Sequence, residues 1–549
     1  MIWNRDSIQH AYFKERRATP AIAGRLATAL CWVVATTTGF GQQLLFEANG
    51  DTAFSGFGSV VAPAGDVDAD GYPDLLVGIP YEPKGSIVPG NVRVFSGKDG
   101  TRLYSKYGSI DGEWFGVAVA GGFDMNGDGY ADFLVGAPNA PFGSGLRALL
   151  YSGQDRSILW SADGDDSQDG FGYSVGNCGD INQDGAIDWV VGAPGALNNG
   201  VRVGSFRIFS GLDGSVLYTV YGSETNSSFG NPVAGAGDVD ADGSDDVIAG
   251  SPYSSILRPQ GGRALVYSGQ AGGLILDKMG DVKDQLFLGW SVSAVGDLDL
   301  DGFDDILVGS LQYDADDCPS SEGFAWAFSG QTGAALYQYQ GDAADDVFGI
   351  SVHGCGDVNR DGWPDFIIGA PQTSNTGSLG GCGGGPGYAR LYSGRTGIAL
   401  YTFTGISSND NFGISVSDAG DVDLDGFPDV SVGATLATGG SGTFGSIYVF
   451  GGNDLFLNAS LRAPTSGDRL TLSTREGPTG NLVALFMVDV NGTPTSTLLG
   501  YGSFDSGLGF DVSGTVPPGF SSYVFTFKSF AIGASGKIID SAPEVVAIQ

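Results

Sequence analysis

Seven times between residues 66 and 429 the chain repeats one nonapeptide, in which Asp or Asn alternates with other residues and a glycine stands sixth. The copies are DVDADGYPD from Asp66, DMNGDGYAD from Asp124, DINQDGAID from Asp180, DVDADGSDD from Asp238, DLDLDGFDD from Asp297, DVNRDGWPD from Asp357 and DVDLDGFPD from Asp421, at steps of 58, 56, 58, 59, 60 and 64 residues. A period near sixty is too long for most helical repeats and suits a four-stranded sheet repeated around a ring. Each such unit has to bury its apolar strands against its neighbours.

Every unit carries four apolar segments. Ahead of the acidic loop stands an aromatic-Gly start followed by small and β-branched residues, as in Phe57-Gly-Ser-Val-Val61 and Phe412-Gly-Ile-Ser-Val416. Behind it comes an apolar run ending in Gly and often Ala-Pro, as in Phe133-Leu-Val-Gly-Ala-Pro138 and Phe366-Ile-Ile-Gly-Ala-Pro371. A third segment ends in aromatic-Ser-Gly (Val92–Gly97, Arg390–Gly394), and a fourth is short and aromatic (Leu103-Tyr104, Leu400-Tyr401). Short apolar runs bounded by Gly, Pro and Asp read as strands. The seventh unit has no fourth segment after Gly452, but Leu44–Gly50 stands before Phe57-Gly58 as Leu103-Tyr104 stands before Phe115-Gly116. A ring whose last sheet is completed by the first strand leaves no open edge. The sequence therefore predicts an all-β chain, with a seven-bladed propeller over 42–454. Over 455–549, where the period stops, Leu482–Val488, the turn Val490-Asn-Gly-Thr493 and Tyr523–Lys528 predict a small β-sandwich-like domain.

The Phe-Gly start, the Asp-rich loop and the Gly-Ala-Pro after the second strand resemble the FG-GAP repeats of the integrin alpha-subunit propeller, over about three quarters of the chain. Units four, five and seven depart from the pattern with Gly250-Ser-Pro252, Gly309-Ser310 and Gly433-Ala-Thr435, and unit five starts Leu288-Gly289. The resemblance implies adhesion as the general activity, with ligand bound on the face away from the acidic loops.

Positions 1, 3, 5 and 9 of each loop hold Asp or Asn, and position 7 offers only its carbonyl throughout. Hard oxygen donors at alternating positions, with Gly at the sharp turn, describe Ca²⁺ coordination. The expected ligands in the first three loops are Asp66, Asp68, Asp70, Tyr72 and Asp74; Asp124, Asn126, Asp128, Tyr130 and Asp132; and Asp180, Asn182, Asp184, Ala186 and Asp188. The fourth and fifth contribute Asp238, Asp240, Asp242, Ser244 and Asp246, then Asp297, Asp299, Asp301, Phe303 and Asp305. The last two contribute Asp357, Asn359, Asp361, Trp363 and Asp365, then Asp421, Asp423, Asp425, Phe427 and Asp429. With Asn at three of the 28 side-chain positions, 25 carboxylates remain at fixed spacing, which turn chemistry alone does not require. Up to seven Ca²⁺ ions are expected. The twelfth position is apolar (Val77 in the first copy), so the distal Glu of an EF-hand is absent. Thiolates and imidazoles are lacking, which argues against zinc, and Mg²⁺ is less suited to a nearly all-protein cage.

Lys and Arg number 26 against 62 Asp and Glu, a net charge of −36, so nucleic acid and anionic membranes are not expected partners. Residues 1–41 read as an export signal: Lys14, Arg16, Arg17 and Arg25 precede the apolar run Leu26–Ala35, and small residues follow to Gly41. That run is short of the roughly 20 apolar residues a span needs, so a secreted or extracytoplasmic protein without stable membrane insertion is expected. His10 lies in this segment, leaving His353 as the one imidazole for Ser-His-Asp or Cys-His chemistry, and a packed or hydrogen-bonded role is expected for it. Asp163, Asp165, Asp166 and Asp169, and Asp314, Asp316 and Asp317, fall in polar connectors and read as solvated charge. Paired carboxylates among them would carry the alternative, an extracellular polysaccharide-acting enzyme. Gly533-Ala-Ser-Gly-Lys537 lacks the spacing of a nucleotide loop.

In a four-stranded blade the loops joining strands one to two and three to four share one face. The two-to-three loops and the blade-to-blade connectors share the other. The long, variable segments, including Tyr81–Pro89, Tyr253–Gln260, Tyr313–Glu322 and Gln372–Gly387, therefore collect opposite the acidic loops. The main expectation is a non-catalytic, Ca²⁺-binding module for adhesion or ligand recognition. A protein or glycan is to be held on that opposite face, with Tyr81, Trp114, Tyr253, Arg258 and Tyr313 as candidate contacts. Cys318 and Cys382 share a loop type in neighbouring units and are placed for a disulfide, whereas Cys178 and Cys355 read as small buried residues.

Overall fold

The computed structural model describes residues 44–452, except 141–142, 145–146, 271, 281–286, 312–321, 344–345, 373–384 and 438–443, and the backbone of strands between 456 and 547. The expected export segment, Tyr313, Cys318, Cys382, Asp314, Asp316 and Asp317 lie outside the described residues. All regular structure among the described residues is β, and no helix there is long and apolar enough to cross a membrane.

The first blade pairs β2 (Val60–Gly65), β3 (Asp74–Ile79), β4 (Asn91–Phe95) and β5 (Arg102–Tyr107) in spatial order, all antiparallel. Five more four-stranded sheets follow in the same order. In the seventh, Phe412–Gly420, Asp429–Ala434 and Ser446–Phe450 are completed by β1 (Leu44–Asn49), which pairs antiparallel from Leu44 opposite Phe450 to Asn49 opposite Ser446. The chain thus forms a seven-bladed propeller closed by its first strand. Beyond it, strands between Phe456 and Ala547 make a three-stranded and a five-stranded sheet. The expected sandwich packing concerns side chains outside those described.

The second and third strands are buried almost throughout, whereas the fourth alternates exposed and half-buried residues. The core is correspondingly divided among the junctions between blades. Leu76, Val94, Phe115, Val119 and Phe133 fill the first junction, and Ala48, Phe57, Val77, Ile79 and Ile447 fill the one where the ring closes. At about 1.5–3 kcal/mol for each large side chain, these junctions hold the ring together.

The Phe-Gly and Gly-Ala-Pro motifs meet at the same junctions. A Cβ on Gly78 would collide with the Gly116 carbonyl of the next blade, and the collision recurs at Gly136 with Gly172, Gly369 with Gly413, and Gly433 with Gly58 across the closure. One glycine of each motif is therefore a packing requirement, because backbones approach too closely for a side chain.

The first strands line a central cavity of about 510 Å³, with Val61, Val119, Val175, Val233, Ser293, His353 and Ser417 representing the seven blades. His353 faces this cavity, its Nδ1 2.7 Å from the Gly354 carbonyl oxygen. Cys178 and Cys355 are free, buried thiols.

Candidate metal centre

The acidic loops join the first two strands of each blade, at the same end as the three-to-four turns; Lys98 of such a turn reaches Asp70 at 3.3 Å. Their backbone path is the same in all seven. The fourth position is left-handed, with φ from 53° at Arg360 to 71° at Gly127, and the sixth glycine has φ between 88° and 92°. A Cβ on Gly71, Gly129, Gly185, Gly302 or Gly362 would meet nothing within 4 Å, so glycine is required there for torsion, not for space.

This path coils the side chains inward. In the first loop the Asp66 carboxylate accepts the Asp70 and Gly71 N–H groups at 3.0 and 2.8 Å, and Asp70 accepts the Tyr72 N–H at 3.0 Å. Oxygens of Asp66, Asp68 and Asp70, and of Asp421, Asp423 and Asp425, consequently lie within 4.8 Å of one another. In the fourth and fifth loops the first, third and ninth positions converge instead: Asp238, Asp240 and Asp246, and Asp297, Asp299 and Asp305. Two oxygens that each sit 2.3–2.6 Å from one Ca²⁺ are at most about 5 Å apart, so these sets fit a hard divalent cation. An orphaned atom points the same way. Asp421 Oδ1 is buried and accepts no hydrogen bond, although its counterpart in the first loop accepts an N–H.

The ninth residue has a second task. Asp74 is fully buried; one oxygen accepts the Val67 N–H at 2.8 Å and the other the Gly97 N–H at 3.1 Å. The same brace recurs in every blade, from Asp132 with Met125 and Gly153 to Asp429 with Val422 and Gly452. It ties the acidic loop to the glycine of the aromatic-Ser-Gly segment. Burial pushes the carboxyls of Asp74, Asp246 and Asp305 up to about 7 and those of Asp365 and Asp429 to about 8; the amide donors oppose this and neighbouring loop carboxylates add to it. A cation would remove the repulsion these groups feel when ionised together.

The connector face differs from expectation at one point. Asp163, Asp166 and Asp169 are not freely solvated charge, and Asp165, though exposed, is also ion-paired. Asp169 is 1% exposed and meets Arg147 at 2.6 Å, Asp163 meets Arg147 at 3.1 Å, Asp166 meets Arg202 at 3.0 Å, and Asp165 pairs with Arg207. The sequence hid this because each arginine lies in a different segment from its acid. Glu113 caps the Ser109 and Ile110 N–H groups, and Asp346 accepts the Tyr388 hydroxyl at 2.8 Å.

Of the residues expected at a ligand surface, Tyr81 and Tyr253 are 49% and 41% exposed, and Arg258 and Trp114 are half-buried. Sequence reasoning missed Tyr173 and Trp290. Each follows a blade's aromatic-Gly or Leu-Gly start and so stands on the connector side of its blade. The Tyr253 ring lies 5.6 Å from that of Phe287 and 6.2 Å from that of Trp290. Burial raises the Tyr173 phenol, and Tyr81 and Tyr253 add to the shift. The residue after the Phe-Gly start was the signal available for this.

A family profile described as FG-GAP repeat matches residues 57–95, 115–150, 288–328 and 348–388, in blades one, two, five and six. These four stretches are FG-GAP repeats. Among similar proteins, integrin alpha-5 of Xenopus laevis is 30% identical over 221 residues, covering 38% of this chain and 21% of the relative. Integrin alpha-V of Gallus gallus is 30% identical over 238 residues (40% and 22%), and human integrin alpha-IIb 32% identical over 220 (37% and 20%). The chain spans about a fifth of the length of these relatives.

Proposed function

We propose that this protein is a secreted FG-GAP propeller, stabilised by Ca²⁺ in its acidic loops, that recognises a protein or glycan ligand without catalysis. The observation that carries the reading is the set of exposed rings Tyr81, Tyr173 and Tyr253 on the connector side of their blades, with Trp290 packed beside Tyr253. Rings held on a rigid scaffold present large contact area at low entropic cost, and both sugar faces and protein side chains stack on them. The relatives named integrin alpha support an adhesive role. Ca²⁺ fits the loops because every donor is an oxygen and the three-carboxylate sets are compact enough for one ion. Export is proposed from residues 1–41.

Polysaccharide cleavage has weaker support. The connector acids Asp163, Asp165, Asp166 and Asp169 are committed to arginines, which leaves no free carboxyl pair among them for acid and base roles. The test is a glycan and matrix-protein binding array run with Ca²⁺, beside a polysaccharide turnover panel. Saturable binding that is lost in a Tyr81→Ala/Tyr253→Ala variant, without turnover, supports recognition; turnover would overturn the non-catalytic reading.

A further inference from the structure

The acidic loops are not equally connected to one another. We propose that Asp304, Asp245 and Gln183 are positioning residues that couple the loops starting at Asp180, Asp238 and Asp297 into one cooperative Ca²⁺-binding unit. The inference rests on the calcium reading above and concerns how the ions enter.

Asp304 is the eighth residue of the fifth loop. Its carboxylate accepts the Asp238 N–H at 3.0 Å while its own N–H donates to the Asp238 carbonyl at 3.0 Å, so both backbone groups of the fourth loop's first ligand are held by the fifth loop. Asp304 also adjoins Asp305, the buried brace of its own loop. One junction earlier, the Gln183 amide donates to the Gly243 carbonyl and to Ser244 Oγ, each at 2.9 Å. The Asp245 carboxylate accepts the Asp180 N–H. The third loop is therefore anchored on the sixth to eighth positions of the fourth, where the Ser244 carbonyl is a proposed ligand.

At the other junctions the eighth position is Ala131, Ile187, Pro73, Pro364 or Pro428, none with a carboxylate, and proline also lacks the N–H. Ala131 makes a backbone bond to the Asp66 carbonyl (2.8 Å), and Arg360 reaches the Gly426 carbonyl at 3.0 Å. Neither grips the first ligand of its neighbour from both sides. An ion that fixes Asp238 also fixes Asp304 and, through the chain, Asp305, so the fifth loop is partly ordered before its own ion arrives.

Calorimetric Ca²⁺ titration of the full chain tests this. Asp299→Ala, which removes a fifth-loop ligand, is expected to weaken at least two calcium equivalents by about fivefold or more. Asp68→Ala in the first loop should weaken one. Asp304→Ala should flatten the isotherm, and Asp304→Asn, which loses the charge but keeps an acceptor, should preserve its steepness. Gln183→Ala, at an exposed position, should flatten it with the calcium-free melting temperature unchanged. Independent equivalents in the unaltered chain, or one weakened equivalent in both ligand variants, would overturn the coupling alone. An unaltered chain that takes up no Ca²⁺ would overturn the calcium reading as well.

Discussion

The two faces of the ring obey different rules. On the loop face seven copies keep one set of torsions, the sixth glycine staying between 88° and 92°, and one buried brace from the ninth carboxylate. On the connector face one amide cap recurs at Glu113, Asp169, Asp346 and Asp410, but its side-chain partners differ from blade to blade: Arg147 joins Asp169, and Tyr388 and Gln372 join Asp346. Uniformity marks a task common to every blade, which here is closing and stiffening the sheet. Divergence leaves room for a surface suited to a particular partner, and it is on this face that the exposed aromatic rings stand.

Four changes would break or sharpen that contrast. The largest effect should come from chelation, which leaves all seven carboxylate sets repelling at once; a fall in melting temperature on the order of 10 °C is expected by calorimetry, and none would undo the scaffold role of the loop face. Next is Asp74→Ala, which strands the Val67 and Gly97 N–H groups in the interior and should cost about 2–4 kcal/mol in denaturant unfolding. Gly71→Ala meets no neighbour but forces a side chain to φ near 92°, so about 1–2 kcal/mol is expected, all of it torsional. The smallest effect on stability should come from the opposite face: Tyr81→Ala with Tyr253→Ala should stay within about 1 kcal/mol of the unaltered protein while ligand affinity falls at least about tenfold. A large loss of stability in that last variant would show that the rings are core rather than surface.

Most of the ring was readable because its motifs recur at a near-constant step and its strands are bounded by Gly, Pro and Asp. The closing strand was readable from a count: the seventh unit lacked a fourth segment and Leu44–Gly50 had no unit of its own. What could not be read were relations across the ring. That Gly78 lies against the Gly116 carbonyl, or that Arg147 serves Asp169, depends on which backbones the closed ring brings together. The ninth Asp could be read as a ligand, but not as a brace, since its partner glycine stands 23 residues on in the first blade. Tyr173 and Trp290 stand in the bends just ahead of the strands Ser174–Asn177 and Ser291–Gly296, and what they face depends on how seven first strands surround one axis.

The central claim is that the acidic loops hold cations as scaffold. Its most direct test is anomalous diffraction from crystals of the full chain grown with Ca²⁺. Peaks are expected between the first, third and fifth carboxylates of the loops at Asp66 and Asp421, and among the first, third and ninth of those at Asp238 and Asp297. Loops without peaks at saturating Ca²⁺, with their carboxylates turned outward to solvent, would contradict it.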